Sequence, residues 1–491
     1  MTQEIELKLD VDPDNLPLVR QDSIFARAES HSVDQVTVYY DTPGTKLKKH
    51  GFTLRVRSVG GRFIQTVKPL TDNVGLVSRE EIEFEVRSLK PDLRQLSDHP
   101  IHRLLAKGEA KRLKPIVRCD VNRTSWEIGG RNGRMQVDLD HGCVTAGERT
   151  QEFAELEFEL VDGPPASLVV AAGRLSDHVP VRLGVLTKAE RGFMLAAGTL
   201  GRVTKAAPVN VLPDMTVAEA FEPIVHACLK HYRLNEPLAL KGNAAALHQA
   251  RVAMRRLRSA FALFRPAIED VEYQHLRHEL RWFTAQLGDA RNLDVYLERD
   301  LDDEERSRLI RKREKAYDEV ADAMNSHKFR RLLIDIVGWV AIGAWRAGKV
   351  ANRPLTSFAN RRLDRLWASI ASDRDIASMD EEMRHRVRIQ AKKMRYAVEF
   401  FQGLYLQARA AEKQFASAIE DLQDSLGKLN DMTTARTIAT LPANDGWLIG
   451  SLEERRHLLT AEQALRELMR VGRFWRLTAD IDPHERAQAL A

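Results

Sequence analysis

Glu4, Glu6 and Lys8 alternate with Ile5, Leu7 and Leu9 at the start of the chain. On a strand, successive side chains point to opposite faces, so the carboxylates and the amine share one face and the aliphatic residues the other. Similar runs recur. Thr53-Leu54-Arg55-Val56-Arg57 puts Arg55 and Arg57 together. Glu81-Ile82-Glu83-Phe84-Glu85-Val86 groups three glutamates, and Glu155-Leu156-Glu157-Phe158-Glu159-Leu160 groups three more. Clustered carboxylates suit hard divalent cations, and clustered Arg and Lys suit phosphate oxygens. One such strand reads as a solvated outer face. Several, each with a strongly apolar reverse side, point to a closed sheet with helices over its apolar outside and charges in its lumen. Charges enclosed there must pair or bind a ligand. A lumen holding both signs suits a metal–polyphosphate anion.

A second set of residues lies on helical spacing. His248, Arg251, Arg255 and Arg258 stand at offsets 0, 3, 7 and 10, and His385, Arg388, Lys392 and Arg395 repeat those offsets 137 positions later. At 100° per residue each set forms one narrow stripe, which Arg256 and Lys393 widen. Residues 241–265 carry six basic side chains and no acid, and so do residues 383–398. Like charges on one helix face repel, so an anionic partner is expected for both stripes. A structural alternative is that these arginines cross-link helices through acids such as Asp289, Asp294, Asp424 or Asp431. Leu287-Gly288 and Leu426-Gly427 follow the two stripes at similar distances, which supports an internal duplication.

The elements that must carry these residues differ between the halves. Up to about residue 200 the period is mostly two, with turns at Pro43-Gly44, Gly60-Gly61, Gly129-Gly130 and Asn132-Gly133. This predicts an antiparallel β domain with a few helices, near 100–107 and 167–178. From Val217 the period is helical, over 217–233, 243–264, 273–288, 304–326, 361–372, 383–405, 410–429 and 447–471. The fold class is therefore α+β multidomain. The expected division is a first domain over 1–200, a linker over 201–215, and a helical domain over 216–491 built from repeats of about 216–350 and 351–480.

Composition bounds the function. The 491 residues carry 75 basic and 70 acidic side chains, a net charge of +5. Residues 1–200 hold 28 basic against 29 acidic, so the positive excess lies in the helical half. The three cysteines, Cys119, Cys143 and Cys228, have neither disulfide-framework nor zinc-type spacing. The most apolar run, 332–345, is interrupted by Asp335 and is too short to span a bilayer. The charged N-terminus shows no secretory pattern. A cytoplasmic protein without membrane association is expected.

The first half resembles the CYTH family, the triphosphate tunnel metalloenzymes. The resemblance rests on Glu4-Ile5-Glu6-Leu7-Lys8, Tyr39-Tyr40-Asp41-Thr42, Arg55 and Arg57, and Thr66-Val67-Lys68. It continues through Arg79-Glu80-Glu81, Arg118 and Arg123, Asp138 and Asp140, Glu155 and Glu157, and the run Thr187 to Gly192. It implies an eight-stranded antiparallel tunnel barrel. It also implies that Lys8, Arg55, Arg57, Lys68, Arg118, Arg123 and Lys188 contact a triphosphate. Glu4, Glu6, Glu155 and Glu157 would hold Mg²⁺ or Mn²⁺, with Asp138 or Asp140. Glu81 and Glu83 are expected on the lining, and Glu159 at the rim. The implied chemistry is hydrolysis by a water held by Glu4 or Glu6, in preference to Lys8 as base.

The second half resembles the CHAD family of conserved-histidine helical domains. The match rests on His248 to Leu257, Leu287-Gly288 with Arg291 and Asp294, and His385 to Tyr396 with Glu399. It implies inorganic polyphosphate binding by His248, Arg251, Arg255, Arg256, Arg258, His385, Arg388, Lys392, Lys393 and Arg395. The order of the two halves resembles bacterial inorganic triphosphatases. Adenylyl cyclase or thiamine triphosphatase chemistry, or a polyphosphate-binding scaffold, are the competing readings. Nucleic acid is disfavoured because the stripes lack interleaved aromatics, Tyr396 excepted.

Overall fold

A computed structural model of the chain describes residues 3–70, 74–80, 82–97, 99–106, 108–130, 133–298, 301–371, 376–438 and 446–477. Its strands are β1 (Gln3–Val11), β2 (Ser30–Asp41), β3 (Phe52–Val59), β4 (Arg62–Pro69), β5 (Val77–Glu80) and β6 (Ile82–Val86). β7 (Lys114–Gly130), β8 (Gly133–Ala146), β9 (Arg149–Asp162) and β10 (Arg182–Leu183) follow. All pairings are antiparallel.

Pairing runs β1–β9–β8–β7–β2–β3–β4–β6, and β5 returns to β1. Residue 81, between β5 and β6, lies outside the described residues, and so does the expectation for Glu81 as a lining residue. Counted as one strand, β5 and β6 complete a ring of eight. The short β10 lies beyond that ring on β1, with Leu183 opposite Leu9. The strand count is therefore nine, against the eight expected. The extra strand is two residues long and has no alternation by which to be read.

Short helices α1 (Leu16–Gln21), α2 (Lys46–Lys49) and α3 (Pro100–Leu104) precede α4 (Ala166–His178) and α5 (Lys188–Ala196). Leu54 and Val67, on the reverse side of the arginine strands, pack against Leu47, Leu96, Ile101 and Leu105. The Tyr-Tyr-Asp-Thr block has a structural role here. Buried Asp41 accepts the backbone N–H groups of Thr42 at 2.7 Å, Leu47 at 2.9 Å and Lys48 at 3.0 Å, and so holds the entry to α2.

Helix α5 packs differently from the expectation of helices outside the sheet. Its Ala189, Phe193 and Leu195 pack on Val117, Cys119, Val144 and Phe153. Registers place Arg123 opposite Asp140 and Asp140 opposite Glu155, and the intervening residues keep the same parity. Helix α5 thus covers the same face of the sheet as the charged residues, the inner one. Gly192 permits this close approach, because a Cβ there would stand 2.2 Å from Val117.

Among the described residues nine longer helices follow. They are α6 (Val217–Leu240), α7 (Ala244–Ile268), α8 (Val271–Leu297), α9 (Asp303–Asn325) and α10 (His327–Ile342). The last four are α11 (Leu355–Ala371), α12 (Glu381–Phe401), α13 (Arg409–Ile438) and α14 (Gly446–Val471). Helix α10 was not among the expected helices. Leu332, Leu333, Ile334, Ile336, Val337 and Val340 are all buried, and in the sequence this run stood out only for its apolar length, too short to span a bilayer.

The chain divides into two compact units, one of residues 1–206, 225–255 and 271–344, the other of 207–224, 256–270 and 345–491. In the first, Tyr232, Phe283 and Phe329 form an aromatic core, with Phe283 stacked on Phe329. In the second, Phe264 contacts Phe221, Phe358 and Phe401 at centroid distances of 5.2, 5.3 and 5.8 Å.

Candidate active site

Register brings the charged alternations into one cluster. Lys8 of β1 lies opposite Glu157 of β9, and Glu157 lies opposite Asp138 of β8. Directly opposed residues of an antiparallel pair project from the same face. One cavity is lined by Glu6, Lys8, Arg55, Arg57, Lys68, Glu83, Arg123, Glu157, Glu159 and Lys188. Tyr39, Thr53 and Thr187 also line it, and none of these was anticipated as a lining residue. The parity of Thr53 with Arg55 is visible in the sequence. Tyr39 needs the β2–β3 register, which sets it opposite Arg55.

Acids and cations interlock on one wall. Arg123 spans three carboxylates: both oxygens of Asp140 at 2.6 Å, Asp138 at 2.5 Å and Glu157 at 2.6 Å. Lys188 meets Asp140 at 2.7 Å, Glu157 at 3.1 Å and Glu155. Lys8 contacts Glu157 and stands 3.9 Å from Glu6. The carboxylate oxygens of Asp140, Glu155 and Glu157 lie within 4.8 Å of one another. Of the two aspartate candidates, Asp140 is thus the one that completes this oxygen cluster. Glu155 is 1 % exposed, and its Oε2 is buried without a hydrogen bond. An orphaned carboxylate oxygen in an all-oxygen donor set fits a hard divalent cation.

The opposite wall is cationic. Strand β3 lies four places from β9 round the ring of eight. It carries Arg55 and Arg57, with Lys68 on neighbouring β4. The charge of Arg55, followed by burial, pushes Arg57 down to about 10. Two arginines crowded in this way are relieved by an anion. Glu83 lies 3.9 Å from Arg55 and accepts the Thr66 hydroxyl at 2.9 Å.

Arg118 is a correction. It stands an odd five residues before Arg123, so it faces outward, half-exposed, and pairs with Asp120 at 2.6 Å. The side chain of Glu4 lies outside the described residues, although its backbone pairs with Arg79 in β1 and β5.

Burial raises the Glu157 carboxyl, but Lys188, Lys8 and Arg123 outweigh it and hold the group well below the ordinary 4.5. For Asp140, burial is likewise outweighed by Lys188 and Arg123. Burial lowers Lys188, but Asp140, Glu155 and Glu157 hold it well above 10.5. Lys8 is raised too, because Glu157 and Glu6 overcome its burial. It is therefore a cation rather than a base near neutral pH.

These directions predict a pH dependence. The depressed carboxylates contribute stability above their unfolded values near 4, and lose it as pH falls through their folded values. The raised lysines contribute fully below 10.5, and lose it as pH climbs through their folded values. The melting-temperature difference between the chain and Lys188→Met should stay flat from about pH 5 to about pH 10 and shrink outside it. A slope between pH 6 and pH 9, in scanning calorimetry of both proteins, would contradict this network.

Residues 2–193 match the CYTH domain family, and residues 223–440 match the CHAD domain family. The chain is a CYTH domain followed by a CHAD domain. It is 31% identical over 201 residues to an inorganic triphosphatase of Haemophilus influenzae. That match covers 40% of this chain and 56% of the relative, so the chain spans little more than half of that protein's length. An uncharacterized protein of Mycobacterium tuberculosis is 24% identical over 92% of both chains. The crystal structure of the CHAD domain from the plant Ricinus communis is similar at 25% identity and a TM-score of 0.43, covering 58% of this chain and 95% of that one. No helix among the described residues is long and apolar enough to cross a membrane.

The basic stripes of the CHAD domain fall on α7 and α12. On α7, Arg251 donates to Asn292 of α8 at 3.4 Å, Arg255 is half-buried and Arg258 is exposed. Burial, then Arg291, Arg255 and Arg251, hold His248 below its usual value, so it joins the stripe as a neutral ring. On α12, His385 meets Asn430 of α13 at 3.1 Å and Arg395 lies 3.7 Å from Glu420. Arg388 and Lys392 are half-buried and Lys393 is exposed. Arg256 is the second correction. It is 1 % exposed, pairs with Glu399 at 2.5 Å and stacks over Phe400. That makes it a helix cross-link, the structural alternative named for these arginines, and removes it from the polyphosphate set. Asp431 has no described side chain.

Proposed function

We propose that the CYTH tunnel hydrolyses inorganic triphosphate to diphosphate and phosphate with Mg²⁺ or Mn²⁺, and that the CHAD domain binds inorganic polyphosphate. The observation that carries the first part is the polarised cavity: Glu157 on its lining, with the buried carboxylates of Asp140 and Glu155 within 4.8 Å of it, and Arg55 and Arg57 on the other wall. A pure anion site has no use for the carboxylates, which disfavours a passive scaffold. The similarity to an inorganic triphosphatase supports the same substrate class.

Asp140, Glu155 and Glu157 would hold the cation, which supplies charge neutralisation at the phosphate oxygens. Arg55, Arg57 and Lys68 bind and orient the triphosphate, because guanidinium forks match phosphate oxygens. Lys8, Lys188 and Arg123 line the same cavity as cations and contact the triphosphate in the ground state as in the transition state, neutralising the charge on its oxygens. Glu6, on the lining and close to Lys8, orients the attacking water and accepts its proton.

A substrate panel tests this. Triphosphate, ATP and thiamine triphosphate are each offered with Mg²⁺, Mn²⁺ or chelator. Phosphate release from triphosphate, lost with chelator and regained with excess cation, is expected. Cyclic AMP from ATP without triphosphate cleavage would overturn it. For the CHAD domain, Arg388→Glu with Lys392→Glu should weaken long-chain polyphosphate binding about tenfold. Equal binding in calorimetry would assign both residues to structure.

A further inference from the structure

Helix α6 belongs to the CHAD match, yet Lys230 and Arg233, one turn apart, both hold segments that carry tunnel lysines. Lys230 Nζ lies 2.6 Å from Glu190 Oε1. Glu190 Oε2 accepts the Thr187 backbone N–H at 2.9 Å and the Thr187 hydroxyl at 3.0 Å. In return Thr187 Oγ1 accepts the Glu190 backbone N–H, which completes a capping box on α5. Lys188 is the first residue of that helix. A capping box sets the direction in which a chain enters its helix, and here it sets where the Lys188 ammonium reaches Asp140 and Glu155.

Arg233 acts on the neighbouring segments. Its Nε donates to the Leu183 carbonyl at 2.7 Å, and its Nη2 to Asp10 at 3.0 Å. Asp10 also accepts from Arg191 of α5 at 3.3 Å. Leu183 pairs with Leu9, and the Gly184 N–H donates to the Lys8 carbonyl at 2.9 Å. A Cβ at Gly184 would stand 3.0 Å from Lys8 Cβ, so this approach is close. Residues 225–255 lie in the same compact unit as residues 1–206.

We propose that α6 is a positioning element of the tunnel, and that Lys230 is the positioning residue for Lys188. Lys230 is not on the cavity lining. It acts through the Glu190 carboxylate, in the way that outer partners orient the ligands of a metal site. Triphosphate affinity is then set partly by a residue of the CHAD domain. The inference rests on the reading of the tunnel as a triphosphate site.

The test compares the full-length chain with Lys230→Met, which keeps the apolar stem, and Lys230→Arg, which keeps the charge. Lys230→Met should raise KM for triphosphate about tenfold, the lower range for loss of an outer partner, with kcat within about twofold. Lys230→Arg should return KM to within about twofold of the unsubstituted chain. Unchanged KM in Lys230→Met would overturn the proposal. So would a parallel loss of kcat and melting temperature that Lys230→Arg does not rescue. Calorimetric binding of triphosphate without divalent cation separates the two levels of inference. If the unsubstituted chain binds but does not turn over, the hydrolytic reading fails, and the affinity ratio of the variants still decides the role of Lys230. Absence of both binding and cation-dependent turnover in the unsubstituted chain overturns both.

Discussion

Glu157→Gln is expected to lower kcat/KM for triphosphate by a factor on the order of 10² to 10³. Three cations converge on this one carboxylate: Lys8, Lys188 at 3.1 Å and Arg123 at 2.6 Å. It is also one of the three carboxylates of the oxygen cluster. Glutamine keeps the shape but removes the charge, and it turns an N–H₂ group toward ammonium and guanidinium donors. The divalent-cation concentration for half-maximal rate should rise along with the loss of rate. The fold should weaken by about 3 kcal/mol, since Lys8 and Lys188 stay enclosed with fewer counter-charges. Phosphate release across a cation titration reads the first effect, and calorimetry reads the second. Wild-type turnover at ordinary cation concentration would remove Glu157 from the mechanism and the oxygen cluster from the metal site.

Arg123→Met tests the other side of the same balance. Arg123 engages Asp140 with two nitrogens and reaches Asp138 and Glu157 besides. Breaking a buried ion pair from one side costs about 3–5 kcal/mol, because the remaining charge stays buried. A fall of about 10 °C in melting temperature follows for a domain of this size. Arg123→Lys should recover little of it, since an ammonium cannot span the bidentate contact and its neighbours. Divalent cation should restore part of the melting temperature of Arg123→Met and less of the wild type's, because the freed carboxylates form a stronger cation site. An Arg123→Met melt equal to wild type, with and without cation, would show that the carboxylates are not held by this residue.

The two corrected residues show why a motif alone misplaces side chains. Arg118 and Arg123 were grouped as tunnel contacts, although their odd spacing already sent them to opposite faces of β7. The parity was in the sequence, and the resemblance overrode it. Arg256 differs. On the helix it sits beside Arg255, and nothing local says that Glu399 and Phe400 wait for it on α12. The missing helix α10 belongs to the first kind, since Lys328, Arg331 and Asp335 already stand at helical spacing opposite its buried apolar side.

Alternation needs only the neighbours along the chain. For that reason the charged faces of β1, β3 and β9, the change to helical period near Val217 and the duplicated stripes could be read from composition and spacing. Register is different, because hydrogen bonding between distant strands sets it. It alone brings Lys8 to Glu157, selects Asp140 for the oxygen cluster and adds Tyr39 to the lining. Packing also decided the placement of α5. Its apolar side fits the inner face of the sheet because Gly192 allows contact with Val117, and only in that position does Lys188 reach the carboxylates. The residue types made metal and phosphate chemistry available. Long-range pairing gathered them on and directly behind the lining of one cavity, where burial makes each charge depend on its neighbours.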